Sequence, residues 1–581
     1  MTPEERASIT SNDYINIITE YYRKDRFIET LQGLPFNRID EEFGVFYHPV
    51  LSFPKRIIGE NGYAMIPKLY GLLDTIHLEE MGVNKVQGNP YLGLQGEGVL
   101  LGFVDTGIDY TNPVFQYEDG TTRIVSIWDQ TIENTEANER IFNFGTEYTR
   151  EQLNTALQSE NPRSIVPSVD EIGHGTTLAG VAGGGSEESN DFQGVVQKAE
   201  FVVVKLKQAK KSLRDFFFVS EEVTCFQEDD IIFAIEYLID RAKELNRPIV
   251  ICIGLGTNQG SHTGFDLLPK YLAKVGMQVG RAIIVAAGNE GNSQKHYYGE
   301  VEKVTGFDLV ELNVGENEKG FTMELWGFAP ATFSIDILSP TGEYIPRIDA
   351  RLREYREIKF LYEKTTVYVD HLVIELQSGD PLILLRFAEP APGIWKFRVY
   401  GRGSSNLKFH MWLPLSNFIS DNTYFINPNP DTTITGPATS RYTIAVTAYD
   451  MEYDTIYINA SRGYTRTNII KPDVAAPGVG ILAPMPGNQF TRVSGTSVAA
   501  ANVAGIAAMI MEWGIVRGNY SAVSTMQIQR FLIRGVKQNP EMEYPNQIWG
   551  YGSVNIYDTL MSLSGTTASI KKILGRRNYD T

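Results

Sequence analysis

Residues Val99–Asp109 read VLLGFVDTGID, an unbroken apolar run that ends in an acidic residue and a glycine. A strand wetted on one face would alternate polar and apolar side chains. A run with no polar interruption is what a parallel strand covered on both faces requires, so Asp105 is expected at the carboxyl end of a buried strand. Three further stretches have the same texture: FVVVKL (Phe201–Leu206), PIVICIGLG (Pro248–Gly256) and RAIIVAAGN (Arg281–Asn289). Helical patterns such as DDIIFAIEYLIDRAKEL (Asp229–Leu245) separate them. Strand and helix in alternation predict an α/β fold on a parallel sheet with flanking helices.

From about Lys303 to Leu415 the pattern shifts to short alternating strands, among them FTMELWGF, FSIDIL, TVYVDHLVIEL, LILLRF, IWKFRVYG and LKFHMWL, with Gly, Pro, Asn and Asp between them. This predicts an all-β sandwich inserted into the α/β unit. The α/β texture resumes at RYTIAVTAYD (Arg441–Asp450), and the first ~75 residues form a polar, partly helical and partly extended unit of their own. The expected division is therefore 1–75, 76–302, 303–415 and 416–581. Several domains also suit a chain of 581 residues, since single cores stop growing near ~250–300.

Seventy acidic against 52 basic residues give a formal charge of −18, whose field repels nucleic acid and anionic membranes, so neither is expected as a partner. The two cysteines, Cys225 and Cys252, cannot form a disulfide framework and sit in no metal-ligand spacing; they read as small buried hydrophobes. The start, MTPEERASITSNDYINIITEYYRKDRF, has neither the basic opening nor the ~7–15-residue apolar stretch of a secretory signal. No run of ~18 apolar residues occurs. Cytoplasmic synthesis without classical export or a membrane span is the expectation.

A serine hydroxyl is a weak nucleophile that needs an imidazole base, itself oriented by a carboxylate. Three segments offer these groups, each flanked by small residues that allow close approach: Asp105 in FVDTGID, His174 in DEIGHGTTLAG and Ser497 in SGTSVAAANVAG. Taken singly, an Asp after an apolar strand is ordinarily a turn residue, and a Gly-Thr-Ser is ordinarily a helix cap. Asp129, Asp170 and Glu171 are near the presumed site and either select a basic substrate residue or are simple solvated loop charge.

Together the three segments resemble the subtilisin-like serine proteases, the subtilases. VDTGID is similar to that family's aspartate motif, GHGTTLAGVAGG to its histidine motif and SGTSVAAANVAGIAA to its serine motif, in the family's order of Asp, His and Ser. KPDVAAPG (Lys471–Gly478), PATSRYTIAVTAYD (Pro437–Asp450) and WGYGSVNIYDTL (Trp549–Leu560) resemble further subtilase segments. The resemblance implies a catalytic triad of Asp105, His174 and Ser497. It makes Asn289, in AAGNEGN, the side-chain donor of the oxyanion hole, with the backbone N–H of Ser497 as second donor. It also implies that Gly254, Leu255 and Gly256 lie on one edge strand that pairs with an extended substrate, and Cys225, Phe226 and Gln227 on the other. The chain departs from the family at Val498, commonly Met, and at Ala501-Asn502, commonly Pro-His; no catalytic atom is lost.

The same resemblance implies an N-terminal propeptide, an intramolecular chaperone whose tail sits in the active site until cleaved within KLYGLLDTIHLEE (Lys68–Glu80). Its own propeptide and a protein or peptide substrate are the implied partners. No cofactor is implied; calcium is common in the family, but no acidic cluster here has a defensible ligand spacing, so metal ligands stay unknown. A propeptide without a signal peptide and a jelly-roll-like sandwich inserted between the Asn289 and Ser497 motifs look like the Csp germination proteases of clostridial spores. That likeness implies a spore-located enzyme that activates the proform of a cortex hydrolase. The rival reading is a catalytically silent or propeptide-locked subtilase that binds or signals.

Overall fold

Why the apolar runs are unbroken is visible in how successive side chains of one strand divide between two cores. In Leu100–Asp105, Leu101 and Phe103 pack into one buried cluster while Leu100 and Val104 pack into another on the opposite face. Ile249–Ile253 and Arg281–Ala286 divide in the same way. The computed structural model describes residues 1–20, 31, 33–54, 57–58, 62–72, 81–88, 92–133, 142–403 and 407–563. Among these, nine strands form the central sheet, in the order Thr455–Ile456, Ile444–Asp450, Arg281–Ala286, Ile249–Ile253, Leu100–Asp105, Glu200–Lys205, Ile124–Asp129 and Thr146–Thr149, with Val474–Pro477 also pairing with Ile444–Asp450. The interior pairings are parallel, and the two outermost strands, Thr146–Thr149 and Thr455–Ile456, run antiparallel to their neighbours. The fold is thus the expected subtilisin-like α/β layering.

Helices cover both faces. His174–Gly183 and Thr496–Met511 pack in one core layer; Glu228–Glu244 and Leu267–Gly276 pack in the other. Every residue of Thr496–Met511 is buried. With the turn that follows it, Thr496–Val516 is long and apolar enough to cross a membrane, yet 89 % of its most apolar window lies inside the protein. Ala and Gly at Ala499, Ala500, Ala501, Ala504 and Gly505 let neighbouring backbones come close: a Cβ on Gly505 would lie 2.3 Å from Val195.

Among the described residues, the N-terminal unit forms a helix, Pro3–Thr10, and an antiparallel sheet of three strands in the order Tyr14–Glu20, Phe43–Pro49, Phe36–Arg38. This sheet lies on the two helices of the second layer. Phe43 meets Tyr271 edge to face at 5.5 Å, Lys270 pairs with Glu20 at 2.6 Å, and Lys210 Nζ donates to Ser8 O and Asn16 Oδ1, each at 2.8 Å.

Between the catalytic motifs lie two facing antiparallel sheets. One has six strands, from His296–Glu300 to Lys408–Trp412; the other has five and includes Phe307–Val314 and Tyr424–Phe425. Both sheets contribute to a core of their own, where Phe321 and Met323 of one meet Phe333 and Phe397 of the other. A separate apolar cluster joins all three parts of the molecule. Tyr63, Ile66 and Leu69 come from the N-terminal unit, Leu213 and Cys225 from the α/β unit, and Trp326, Trp412 and Leu415 from the sandwich and its exit.

Candidate functional site

Three segments separated by more than sixty residues each converge at one end of the sheet. Leu100–Asp105 delivers Asp105 at its carboxyl end, and the helix His174–Gly183 delivers His174 at its first residue. That helix starts sharply because Gly173 takes φ 91° and Asp170 caps it: Oδ1 accepts from Gly173 N at 2.8 Å, and Oδ2 from Thr176 N at 2.9 Å and Thr176 Oγ1 at 2.7 Å. The helix Thr496–Met511 presents Ser497 in its first turn. His174 Nδ1 lies 2.8 Å from Asp105 Oδ1, and Nε2 lies 3.3 Å from Ser497 Oγ. A carboxylate can only accept, so Nδ1 carries the proton and Nε2 turns its lone pair to the serine hydroxyl. Asp105 Oδ1 is held in turn by Thr106 N at 2.8 Å.

Asn289 follows the strand Arg281–Ala286 and faces the same point. Its Oδ1 accepts from Thr496 N at 3.2 Å and Thr496 Oγ1 at 3.1 Å, which directs Nδ2, across the planar amide, away from the helix. Asn289, His174 and Thr177 line a cavity of about 440 Å³. An amide donor and the N-terminal end of a helix that aim at one spot make a site where negative charge on oxygen is stabilised.

Leu255–Gly256 and Phe226–Gln227, two-residue strands, face each other across a cleft. Between them runs the chain's own segment Leu69–Leu72, antiparallel to both. Leu72 pairs with Leu255, Gly71 with Gly256, Tyr70 with Phe226 and Leu69 with Gln227. Leu69 N also donates to Gln259 Oε1 at 2.9 Å. Gly254 sits where this cleft reaches the reacting groups: a Cβ there would lie 3.0 Å from His174 Cε1 and 3.1 Å from Ser497 Cβ. The segment predicted for cleavage, Lys68–Glu80, lies outside the described residues from 73 onward.

Other sequence candidates lie elsewhere. Cys225 and Cys252 are buried, and burial pushes the Cys225 thiol up to about 11, far from a thiolate. Asp129 is wholly buried on Thr131 and Ser168, and Glu171 pairs with Lys205 at 2.8 Å, so Asp129, Asp170 and Glu171 serve the loops around His174. Asn502 is bonded to Pro477 O at 3.2 Å within the core. Among the described residues no three His, Cys, Asp or Glu side chains are grouped to hold a metal ion. Residues the motifs did not flag are Gln259 and Glu290, the latter of which accepts from Ser416 N at 3.2 Å and Ser416 Oγ at 2.9 Å and so ties the sandwich's exit to the site. The capping role of Asp170 had a local signal, since an aspartate three residues before a glycine at a helix start is a capping pattern; Gln259 and Glu290 had none.

The model of the subtilase family of peptidases matches residues 96–305 and 420–552. The solved structure of the Clostridium perfringens CspB protease is 32 % identical, with a TM-score of 0.74 over 83 % of this chain and 95 % of that one. Serine protease AprX of Bacillus subtilis is 32 % identical over 150 residues, 22 % of this chain. The C5a peptidase of Streptococcus pyogenes is 37 % identical over 87 residues, 15 % of this chain. The matches span 32 % and 7 % of those two relatives' lengths.

Proposed function

The chain belongs to the subtilase family, and from that premise we propose that it is a serine endopeptidase whose first substrate is its own N-terminal unit. Ser497 Oγ attacks a peptide carbonyl while its proton passes to His174 Nε2; Asp105 holds the imidazolium through Nδ1–H; Asn289 Nδ2 and the Ser497 backbone N–H receive the oxyanion. His174 then hands the proton to the departing amine, and water releases the acyl group by the same route in reverse. Every proton and electron pair is accounted for by these groups, so no metal or organic cofactor is required.

The observation that carries this reading is the chain's own strand, Leu69–Leu72, hydrogen-bonded as a substrate would be on both sides of the cleft. Leu72 stands opposite Leu255, one residue short of Gly254 and Ser497. On this reading the processed bond follows Leu72 within Lys68–Glu80. The apolar cluster shared by the three parts of the molecule favours a cut N-terminal unit that remains docked. The enzyme would then be held latent until the unit is displaced. On the resemblance of its motifs to the Csp germination proteases, we further propose synthesis in the cytoplasm, placement in a spore and a protein proform, such as that of a cortex hydrolase, as the later substrate.

Intact mass of the purified chain beside Ser497→Ala tests the core of this reading. The wild type should split between Leu72 and Glu80 while the variant stays whole. If both stay whole and folded, Ser497 is not a working nucleophile and the chain is a binding protein built on a protease fold.

A further inference from the structure

The strand in the cleft does not stop at Leu69. One residue earlier, Lys68 continues the pairing: its carbonyl accepts from Glu228 N at 2.9 Å, and its N–H donates to Glu228 Oε2 at 3.3 Å. Its side chain then turns inward. Lys68 and Glu228 have side chains 2 % and 0 % exposed, and Lys68 Nζ lies 3.9 Å from Glu228 Oε2, over the Tyr63 ring at 4.7 Å. Glu228 opens the helix Glu228–Glu244, and its other oxygen accepts from Leu268 N at 3.0 Å. Glu324 of the sandwich feels the same ammonium, and Asp266 stands near Glu228.

Burying a carboxylate is expensive unless a cation and hydrogen bonds meet it. The prosegment strand supplies two of the groups that meet Glu228: the Lys68 N–H and the Lys68 ammonium. An empty cleft would leave this carboxylate facing a hole. We infer that Glu228 is the floor of an extended subsite which selects a lysine or arginine four residues before the residue paired with Leu255, so that protein substrates carry a basic side chain there. This rests on the reading that Leu69–Leu72 lies as a substrate does, and it adds to that reading a substrate class and a specificity-determining residue.

The geometry also ranks the two bases. Among the described residues Lys68 Nζ makes no hydrogen bond, and the 3.9 Å gap to Glu228 is too long for one. A guanidinium reaches further and offers a planar fork matched to a carboxylate. Arginine should therefore be accepted at least as well as lysine.

The experiment uses the processed wild-type enzyme with its cut N-terminal unit displaced, and internally quenched peptides of the sequence YAMIPKLYGLLDTI, residues Tyr63–Ile76, with Lys, Arg, Met or Glu at the position of Lys68. The expected kcat/KM order is Arg at or above Lys, with Met lower by about 30-fold or more and Glu lower still, because an unpaired buried charge costs at least that factor. In the Glu228→Gln enzyme the difference between the Lys and Met peptides should vanish. Should that variant fail to fold, the peptide series on the wild type decides alone. Equal cleavage of all four peptides overturns the subsite and leaves the protease reading intact. Cleavage of none, including the parent, overturns the protease reading and the subsite with it.

Discussion

Asn289 and Thr496 are locked together. The amide oxygen takes both the backbone N–H and the hydroxyl of Thr496, at 3.2 and 3.1 Å, so the amide nitrogen is committed to the cleft before any substrate arrives. Such preorganisation costs nothing at the moment of reaction and acts on the oxyanion, which exists only after attack. Asn289→Leu should therefore lower kcat by roughly 10²–10³, the cost of removing this donor in a subtilisin, and leave KM nearly unchanged. Thr496→Val keeps the fold's shape but frees one side of the amide, and should lose less. Steady-state kinetics on a cleavable peptide checks both. A raised KM at full kcat would show that Asn289 binds substrate without stabilising the transition state.

The 2.8 Å contact of Asp105 with His174 Nδ1 fixes the tautomer as well as the position of the ring. Asp105→Asn keeps the shape but offers an amide that can donate to Nδ1, which puts the proton on Nε2, where a base needs a lone pair. Turnover should fall by about 10⁴ while the variant stays folded. Burst-phase acylation measured beside thermal unfolding distinguishes this from simple destabilisation. A fall of less than tenfold would mean that the carboxylate does not set the tautomer.

How far the sequence foretold this arrangement depends on whether the determinant is local. Asp105, His174 and Ser497 each sit at the end of an element whose pattern is written in ten or so consecutive residues, so strand, turn and helix could be read in place. Glu228 with Lys68, Gln259 with Leu69 and Glu324 with Tyr63 are paired across 160, 190 and 261 positions. Nothing near Glu228 in the chain distinguishes it from the other acids of its helix; only the folded path of the N-terminal unit buries it. The antiparallel outermost strands of the central sheet were hidden for a related reason. Thr146–Thr149 is four residues long with one buried side chain, too little pattern to register as a strand.

Gly254 lacks a side chain for reasons of space. A Cβ there would come within 2.5 Å of Leu178 Cδ1, 3.0 Å of His174 Cε1 and 3.1 Å of Ser497 Cβ. The leucine end can swing aside, but His174 cannot without lengthening its 3.3 Å approach to Ser497 Oγ. Gly254→Ala should cut kcat by about 10²-fold, the scale of a 1 Å misplacement, and change thermal stability far less than activity. Parallel losses of activity and stability would point to a folding defect and away from the site.

Glu324 links the docked N-terminal unit to pH. It is buried, receives hydrogen bonds from Tyr63 Oη, Trp326 Nε1 and Gly260 N, and is pushed up to about 7, chiefly by loss of water around its charged form. An acid whose pKa is raised on folding binds its proton more tightly in the folded chain. Its contribution to stability is therefore complete below the unfolded value near 4.5 and is lost as pH rises through about 7, a loss on the order of 3 kcal/mol at most. Between pH 5 and 7.5 the melting temperature of the uncut Ser497→Ala chain should fall relative to the same chain carrying Glu324→Gln, which has no proton to lose there. Asp230, Asp370 and other shifted groups titrate in both proteins and cancel in the difference. Curves that stay parallel across this window would show that Glu324 keeps one protonation state throughout, and that the contact with Tyr63 gives the docked unit no sensitivity to pH.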